Sequence, residues 1–218
     1  MIIYGSTMSP YVRKVVAFAG EKGIEVELRP TGSAPGQPSE EFIDASPARK
    51  MPALRDGDFT LADSSAIAHY FEALKPEPQL IPSEPQARGK TIWFDEFADT
   101  IIASCSAKMF YNRVVLPRFL GKEGDEQAAT AAEREELPPL LDYLEKVVPD
   151  AGGFLVGDSI TLADISIASP FANFAHLGCE RDQSRHGRVY AYVESILARP
   201  SFALWIEREA GFLSKQAA

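Results

Sequence analysis

Hydrophobic and polar positions at the start of the chain follow the pattern of a strand, a helix and a second strand. The apolar run Ile2-Ile3-Tyr4 ends at Gly5, as short strands often do. After Ser9-Pro10, a favoured N-cap and first helical residue, valines and alanines recur at helical spacing until a stop signal at Lys22-Gly23. Residues 24–28 alternate between apolar and acidic, which indicates a half-buried strand. Such a unit normally makes a parallel strand pair with a right-handed crossover.

A hairpin and another helix complete this first unit. Residues 31–39 are rich in Gly, Pro, Ser and Thr, which predicts a loop, and a short helical segment follows at 40–43. Asp56-Gly57, between two apolar stretches, is a strong hairpin signal, so four strands are expected in one sheet. Four apolar residues at spacing i, i+3, i+4 and i+7 then predict an amphipathic helix that begins close to Ser64. The pattern indicates a mixed α/β domain over residues 1–75.

The second part of the chain shows helical periodicity and no convincing strand. Four prolines within residues 76–85 predict a semi-rigid linker, and residues 86–218 are predicted to form an all-helical domain. Pro138-Pro139 interrupt one pattern, so that helix is expected to kink or to form two pieces, because proline removes a donor and clashes with the preceding turn. The helical patterns cover residues 86–115, 125–148, 162–177, 187–198 and 201–210.

The segment around Thr161 carries a helix-start signature. With Thr161 as N-cap, Asp164 falls at the third helical position and reaches back to the cap, while Ile160 and Ile165 fall where a hydrophobic staple forms. Asp164 is therefore predicted to be a folding device and not a catalytic carboxylate.

Composition narrows the classes of function. The 218 residues are 45% hydrophobic and 24% charged, an ordinary globular balance, and the net charge of −9 disfavours nucleic acid and anionic lipid as partners. Cys105 and Cys179 form no CxxC pair and the three histidines have no ligand spacing, so no metal or disulfide framework is predicted. Because no leader or long apolar run is present, we expect a cytoplasmic protein without a membrane partner.

Several polar residues stand where helices or strands begin, and each has two interpretations. Ser9 is either a helix cap or a hydroxyl at the positive end of a helix, where an anion such as a thiolate is favoured. Asp63 and Ser64 are likewise caps or a polar cluster at a helix N-terminus. The Met51-Pro52 step is either the start of an edge strand or a cis peptide bond.

Together these segments resemble the cytosolic glutathione transferase superfamily, in order and over nearly the whole chain. The segments that carry the resemblance are Ser9-Pro10-Tyr11-Val12-Arg13-Lys14-Val15, Lys50-Met51-Pro52-Ala53-Leu54, Leu61-Ala62-Asp63-Ser64-Ser65-Ala66-Ile67, Leu80-Ile81-Pro82, the Gly157 to Asp164 segment and Ala198-Arg199-Pro200-Ser201-Phe202.

The resemblance implies a thioredoxin-like N-terminal domain and an all-α C-terminal domain, normally as a homodimer. Glutathione would be the co-substrate, with no metal. Ser9 would donate its hydroxyl to the glutathione sulfur, and the Met51 backbone would pair with the cysteinyl part before cis-Pro52. Asp63 and Ser64 would hold the γ-glutamyl group. Lys50 is a candidate for the glycine carboxylate.

The implied electrophile pocket lies between the start of the first helix and the first helix of the second domain. Its candidate residues are Tyr11, Phe110 and Tyr111, with Met109 and Arg113 nearby. The reaction would be attack of the glutathione thiolate on a small electrophile. A free thiol has a pKa near 8.5, so the enzyme must lower this pKa for the thiolate to form readily at neutral pH. Glutathione-dependent isomerase, dehalogenase and lyase chemistry share that thiolate. A non-catalytic glutathione-binding or protein-interaction module is the alternative from another class.

Departures from the family pattern bear on the site. Serine stands where members with cysteine chemistry carry Cys, which disfavours disulfide exchange. Tyr4 lies too early for the activating tyrosine of other members, whereas Ser6 and Thr7 remain alternative hydroxyls to Ser9. Ser46-Pro47-Ala48-Arg49 replaces the usual Asn-Pro-x-Gly before Lys, a change at the glycine end of the site.

Overall fold

A four-stranded mixed sheet forms the centre of the first domain in the computed structural model, which describes residues 1–34 and 36–215. The strand order is β2-β1-β5-β6, with β1 parallel to β2, β1 antiparallel to β5, and β5 antiparallel to β6. The strands are β1 (Ile2–Tyr4), β2 (Glu27–Arg29), β5 (Ala53–Asp56) and β6 (Phe59–Ala62), while β3 (Gly32–Ala34) and β4 (Gln37–Pro38) form a separate ribbon.

The predicted strand-helix-strand unit is confirmed. Helix α1 spans Pro10–Lys22 and ends at Gly23, whose φ of 61° is the left-handed conformation that glycine adopts without strain. Strand β2 is shorter than the predicted 24–28, because only Glu27–Arg29 pair with β1. The β3–β4 ribbon lies inside the stretch predicted as a loop, since no alternating apolar pattern marks a strand exposed on both faces.

The predicted hairpin and its following helix are also present. The two-residue turn is Gly57-Asp58 and not Asp56-Gly57, because Asp56 already pairs with Phe59 in the ladder. Helix α2 spans Glu40–Ala45, and helix α3 spans Ser64–Leu74 as predicted.

Pro52 corrects one interpretation of the sequence. It precedes β5, an inner strand between β1 and β6, so the edge-strand interpretation is wrong. The Met51–Pro52 peptide is cis, in agreement with what the family resemblance implies.

Up to residue 215, the regular elements that follow β6 are all helical, in agreement with the predicted all-α domain. Within this described part, three π-helical segments join some of the helices: Ala98–Ile102, Tyr111–Phe119 and Ala132–Glu136. The helices are α4 (Pro85–Phe97), α5 (Ala103–Phe110), α6 (Glu126–Ala131), α7 (Leu137–Val147), α8 (Leu162–Leu177), α9 (Gln183–Leu197) and α10 (Pro200–Lys215).

Several helix limits differ from the predicted ones. The helical stretch that begins at Pro85 continues to Phe119, beyond the predicted end at 115. The backbone stays helical from Glu126 to Val147, and Pro138-Pro139 stand in the first turn of α7, directly after the π-helical segment Ala132–Glu136, so no non-helical break separates two pieces. Helix α9 begins at Gln183, before a kink at His186 that explains the later predicted start.

The cap at the start of α8 is the predicted one. The Asp164 carboxylate accepts hydrogen bonds from the Thr161 N–H at 2.8 Å, the Leu155 N–H at 2.8 Å and the Tyr192 hydroxyl at 2.6 Å. Burial raises the pKa of Asp164, and these hydrogen bonds act against that rise. Asp164 is thus a fully buried folding device.

The segment between α3 and α4 is anchored to both domains. Leu80 and Ile81 are buried, and the Leu80 carbonyl accepts the Leu162 N–H at 2.8 Å. The Lys22 ammonium donates to the carbonyls of Pro76 and Pro78. Among the described residues, no helix is both long enough and apolar enough to cross a membrane.

Candidate functional site

Two clefts meet at the start of α1. A polar cleft of about 760 Å³ lies between α1, the 46–52 segment, the start of α3 and α4. An apolar cleft of about 320 Å³ lies between α1, the β1–α1 loop and the helical stretch 103–120. Ser9, Tyr11 and Met51 line both clefts, so a group beside Ser9 can react with a molecule in the apolar one.

Ser9 has the backbone of an N-cap, but its hydroxyl makes no capping hydrogen bond. Within the part of the chain that the structure describes, only main-chain groups of Ser9 form hydrogen bonds: its carbonyl accepts the Arg13 N–H at 3.0 Å, and its N–H donates to the Ser6 carbonyl at 2.9 Å. The hydroxyl is therefore available to a ligand at the N-terminus of α1, where partial positive charge favours an anion.

The structure separates Ser9 from the other candidate hydroxyls. Thr7 is buried and lines neither cleft. Ser6 lines the apolar cleft but not the polar one. Tyr4 is buried, and its hydroxyl donates to Glu41 at 3.2 Å, away from both clefts.

Asp63 and Ser64 lie together in the polar cleft at the start of α3. The Asp63 carboxylate caps the helix by accepting the N–H groups of Ser65 at 2.9 Å and Ala66 at 3.1 Å. Its φ of 82° is uncommon for a residue with a side chain, a strain of about 1–3 kcal/mol that is typical of functional sites. The cap and the polar-cluster interpretations therefore both apply to Asp63.

A buried charge cluster lies directly below this helix start. The Lys14 ammonium contacts the carboxylates of Asp95 at 2.8 Å and Asp99 at 2.5 Å. Ser64 donates to Asp99 at 3.1 Å, and Ser65 donates to Asp95 at 2.7 Å. Burial lowers the pKa of Lys14, but the two carboxylates more than reverse this and leave it raised. Burial, partly offset by Lys14, raises the pKa of Asp99.

The segment before β5 forms the opposite wall of the polar cleft. The buried Ser46 hydroxyl accepts the Lys50 N–H at 3.1 Å and donates to the Lys50 carbonyl at 2.8 Å. Arg49 has a φ of 56°, in the left-handed region. Within the described part of the chain, the Met51 backbone has no hydrogen-bond partner, so an extended ligand can pair with it.

All three predicted electrophile-pocket residues, Tyr11, Phe110 and Tyr111, line the apolar cleft. The Tyr11 hydroxyl donates to the Asp99 carbonyl at 2.9 Å, and burial followed by Asp99 raises its pKa. Met109 and Arg113, expected nearby, do not line this cleft. Met109 is fully buried in the core, and Arg113 is paired with Glu126 and Glu133.

Comparison with known proteins identifies the family. A family model described as "Glutathione S-transferase, N-terminal domain" matches residues 3–79, and one described as "Glutathione S-transferase, C-terminal domain" matches residues 113–209. A glutathione S-transferase of Hyoscyamus muticus is 33% identical over 213 residues, which cover 95% of this chain and 98% of that protein. The chain belongs to the glutathione S-transferase family.

Further similar proteins agree with this family. Glutathione S-transferase theta-3 of Mus musculus is 31% identical over 185 residues, covering 84% of this chain and 76% of that protein. The structure of human glutathione transferase theta-2 in complex with glutathione has a TM-score of 0.84 at 26% identity, covering 99% of this chain and 90% of that one. The family, the two-domain fold and the glutathione transferase function predicted from the sequence are confirmed.

The clefts of this transferase also contain residues that the sequence analysis missed. Helical spacing could have found many of them, because residues three or four apart share one face of a helix. In the polar cleft they include Ser65, Glu96, Asp99 and Thr100, and in the apolar cleft Met8, Ala103, Ser106, Ala107, Val115, Phe119, Leu120 and Asn173.

The two cysteines of the transferase are placed for packing. Burial raises the pKa of Cys105 to about 11 and the pKa of Cys179 to about 12. The thiolate is the reactive form of cysteine, so neither side chain is activated for disulfide exchange. Neither lines one of the two clefts.

Proposed function

We propose that this transferase binds glutathione in the polar cleft with its sulfur beside Ser9, and that the Ser9 hydroxyl donates a hydrogen bond to the thiolate. The observation that carries the proposal is the position of this hydroxyl, which caps no helix and borders both clefts. Such a bond, with the N-terminus of α1, lowers the pKa of the thiol, and each pKa unit corresponds to about 1.4 kcal/mol.

The polar cleft offers partners for the remainder of glutathione. Asp63 and Ser64 suit the γ-glutamyl group, with the Asp63 carboxylate for its ammonium and the Ser64 N–H at the start of α3 for its carboxylate. The Met51 backbone before cis-Pro52 suits the cysteinyl amide. The exposed Lys50 side chain suits the glycine carboxylate.

The apolar cleft suits a small electrophile with an apolar body, with Tyr11, Phe110 and Tyr111 in its wall. The thiol proton leaves to solvent, and the sulfur electron pair forms a bond to the electrophilic carbon. In substitution the leaving group departs with its bonding electrons, whereas in addition water protonates the adjacent atom. This is the chemistry of detoxification, and isomerase, dehalogenase or lyase reactions would begin from the same thiolate.

The first test is the ultraviolet absorbance of the thiolate of bound glutathione as a function of pH. In the native protein we expect the pKa of the bound thiol to lie well below 8.5, and in Ser9→Ala we expect it to return toward that value. The kcat of Ser9→Ala should be lower by a factor of about 10²–10³. Ser6→Ala is the matched control, since Ser6 borders only the apolar cleft. Glutathione that does not bind, or binds with an unshifted thiol, would contradict catalysis and favour the binding-module alternative.

We further propose the domain limits 1–75 and 86–218 around the linker 76–85, a homodimer, and a cytoplasmic location. The limits are supported by the end of α3 at Leu74 and the start of α4 at Pro85. The location is supported by two free thiols, which a reducing compartment preserves.

A further inference from the structure

A cluster of buried polar side chains lies beneath the loop that carries Ser9. Its members, here called the Arg13 cluster, come from α1, α8 and α10, so it joins the first domain to the second. The members are Arg13, Ser169, Asn173, His176 and Glu209.

Arg13 and Glu209 are the charged centre of the cluster. The fully buried guanidinium donates to both Glu209 oxygens, at 3.1 Å and 2.6 Å, and His176 contacts the same carboxylate at 2.8 Å. Burial by itself raises the pKa of Glu209, but His176 and Arg13 outweigh it and hold the pKa below its usual value. The pair is therefore charged at neutral pH and holds Arg13 in one orientation.

Arg13 in turn fixes the side chain of Asn173. Its guanidinium donates to the Asn173 Oδ1 at 2.9 Å and to the Ser169 carbonyl at 2.6 Å. Because Oδ1 accepts from Arg13, the Asn173 amide nitrogen is directed to the loop, where it donates to the Met8 carbonyl at 2.9 Å. The Ser169 hydroxyl donates to the Pro10 carbonyl at 2.7 Å.

The two carbonyls belong to the residues on either side of Ser9. We propose that Asn173 and Ser169 are positioning residues, which hold the backbone before and after Ser9 so that its hydroxyl meets the glutathione sulfur. This inference rests on the proposed function and adds to it a contribution from the helical domain. Small displacements of a reacting group cost large factors in rate, so two anchors around one residue matter.

The test uses Ser169→Ala and Asn173→Asp in the full chain. Ser169→Ala removes the bond to Pro10, whereas Asn173→Asp keeps an acceptor for Arg13 but loses the donor to Met8. We expect each change to lower kcat about tenfold and to raise the pKa of the bound thiol, with the KM for glutathione changed less than about threefold. Thr91→Val is the matched control, because it removes a buried hydroxyl that bonds only within α4.

The same changes in a Ser9→Ala background separate positioning from other effects. If a residue acts by positioning Ser9, its substitution no longer changes the pKa of the bound thiol once the Ser9 hydroxyl is absent. A direct effect of the new charge in Asn173→Asp on this pKa would persist. Variants that unfold at a lower temperature yet keep the native thiol pKa and kcat would overturn the proposal. If the native protein itself shows no lowered thiol pKa, the proposed function is wrong. If the native thiol pKa is lowered but the Ser169 and Asn173 variants leave it unchanged, only the positioning role is wrong.

Discussion

Ser9 begins α1 through its backbone, while its hydroxyl makes no capping hydrogen bond. The side chain of Arg13, one turn further along α1, is by contrast fully engaged in hydrogen bonds. As a charged residue in a helix it would normally reach solvent, yet it is fully buried against Glu209, which lies 196 positions further along the chain. A buried pair of this kind tolerates the loss of one partner badly, because the remaining charge has no compensation.

Glu209→Gln is predicted to lower the free energy of unfolding by about 3–5 kcal/mol at neutral pH. The native pKa of Glu209 lies below the ordinary 4.5, so its stabilisation is complete above that value and disappears as pH falls through the native pKa. The difference in free energy of unfolding between the native protein and Glu209→Gln, measured by urea titration, should therefore become smaller below pH 4.5. The exposed Glu207→Gln on the same helix is the control, expected within about 0.5 kcal/mol at every pH. A difference that does not vary with pH would contradict this prediction.

At the scale of elements, helix ends with a chemical signal were predicted well and helix interiors with irregular backbone were not. Helix α8 begins at its capping box and ends at Gly178, where φ is 66°. The Gly178 N–H donates to the Ala175 carbonyl, and the next N–H donates to the Phe174 carbonyl. The π-helical segments leave no comparable mark in the periodicity.

Gly178→Ala and Gly211→Ala are predicted to change stability in opposite directions. A Cβ meets no atom within 4 Å at either position, so only backbone conformation distinguishes them. At Gly178 the left-handed conformation makes alanine unfavourable by about 1 kcal/mol. Inside α10, Gly211→Ala should stabilise by about 0.5–1 kcal/mol, because alanine loses less backbone freedom on folding. Urea denaturation of both variants measures this, and destabilisation of similar size at both sites would contradict it.

At the scale of the whole molecule, the two domains share one hydrophobic core. Residues of α1 such as Val15 and Phe18 belong to the same buried cluster as Ile165 of α8 and Tyr192 of α9. Polar contacts reinforce this boundary, since Arg199 donates to both Glu21 oxygens at 2.8 Å and 2.7 Å. The clefts at Ser9 therefore lie between parts that pack as one body.

The proposed homodimer is predicted to appear as a mass of twice the 23.9 kDa chain in light scattering. Large apolar side chains remain exposed on β6, α3 and α4, including Phe59, Leu74 and Trp93, and a second copy that covered them would remove apolar surface from water. The mass should be measured over a range of protein concentrations. A mass of one chain at every concentration would contradict the prediction.

The sequence alone determined the order of the main elements, the capping of α8, the placing of Asp63-Ser64 at a helix start, and the choice of family. These features depend on neighbours within a few residues or on motifs at regular separations. Tertiary structure decided that the Ser9 hydroxyl makes no capping hydrogen bond, that Lys14 lies between Asp95 and Asp99, and that Asn173 reaches the loop that carries Ser9. These contacts join residues far apart in the chain, and local periodicity does not encode which distant side chains meet.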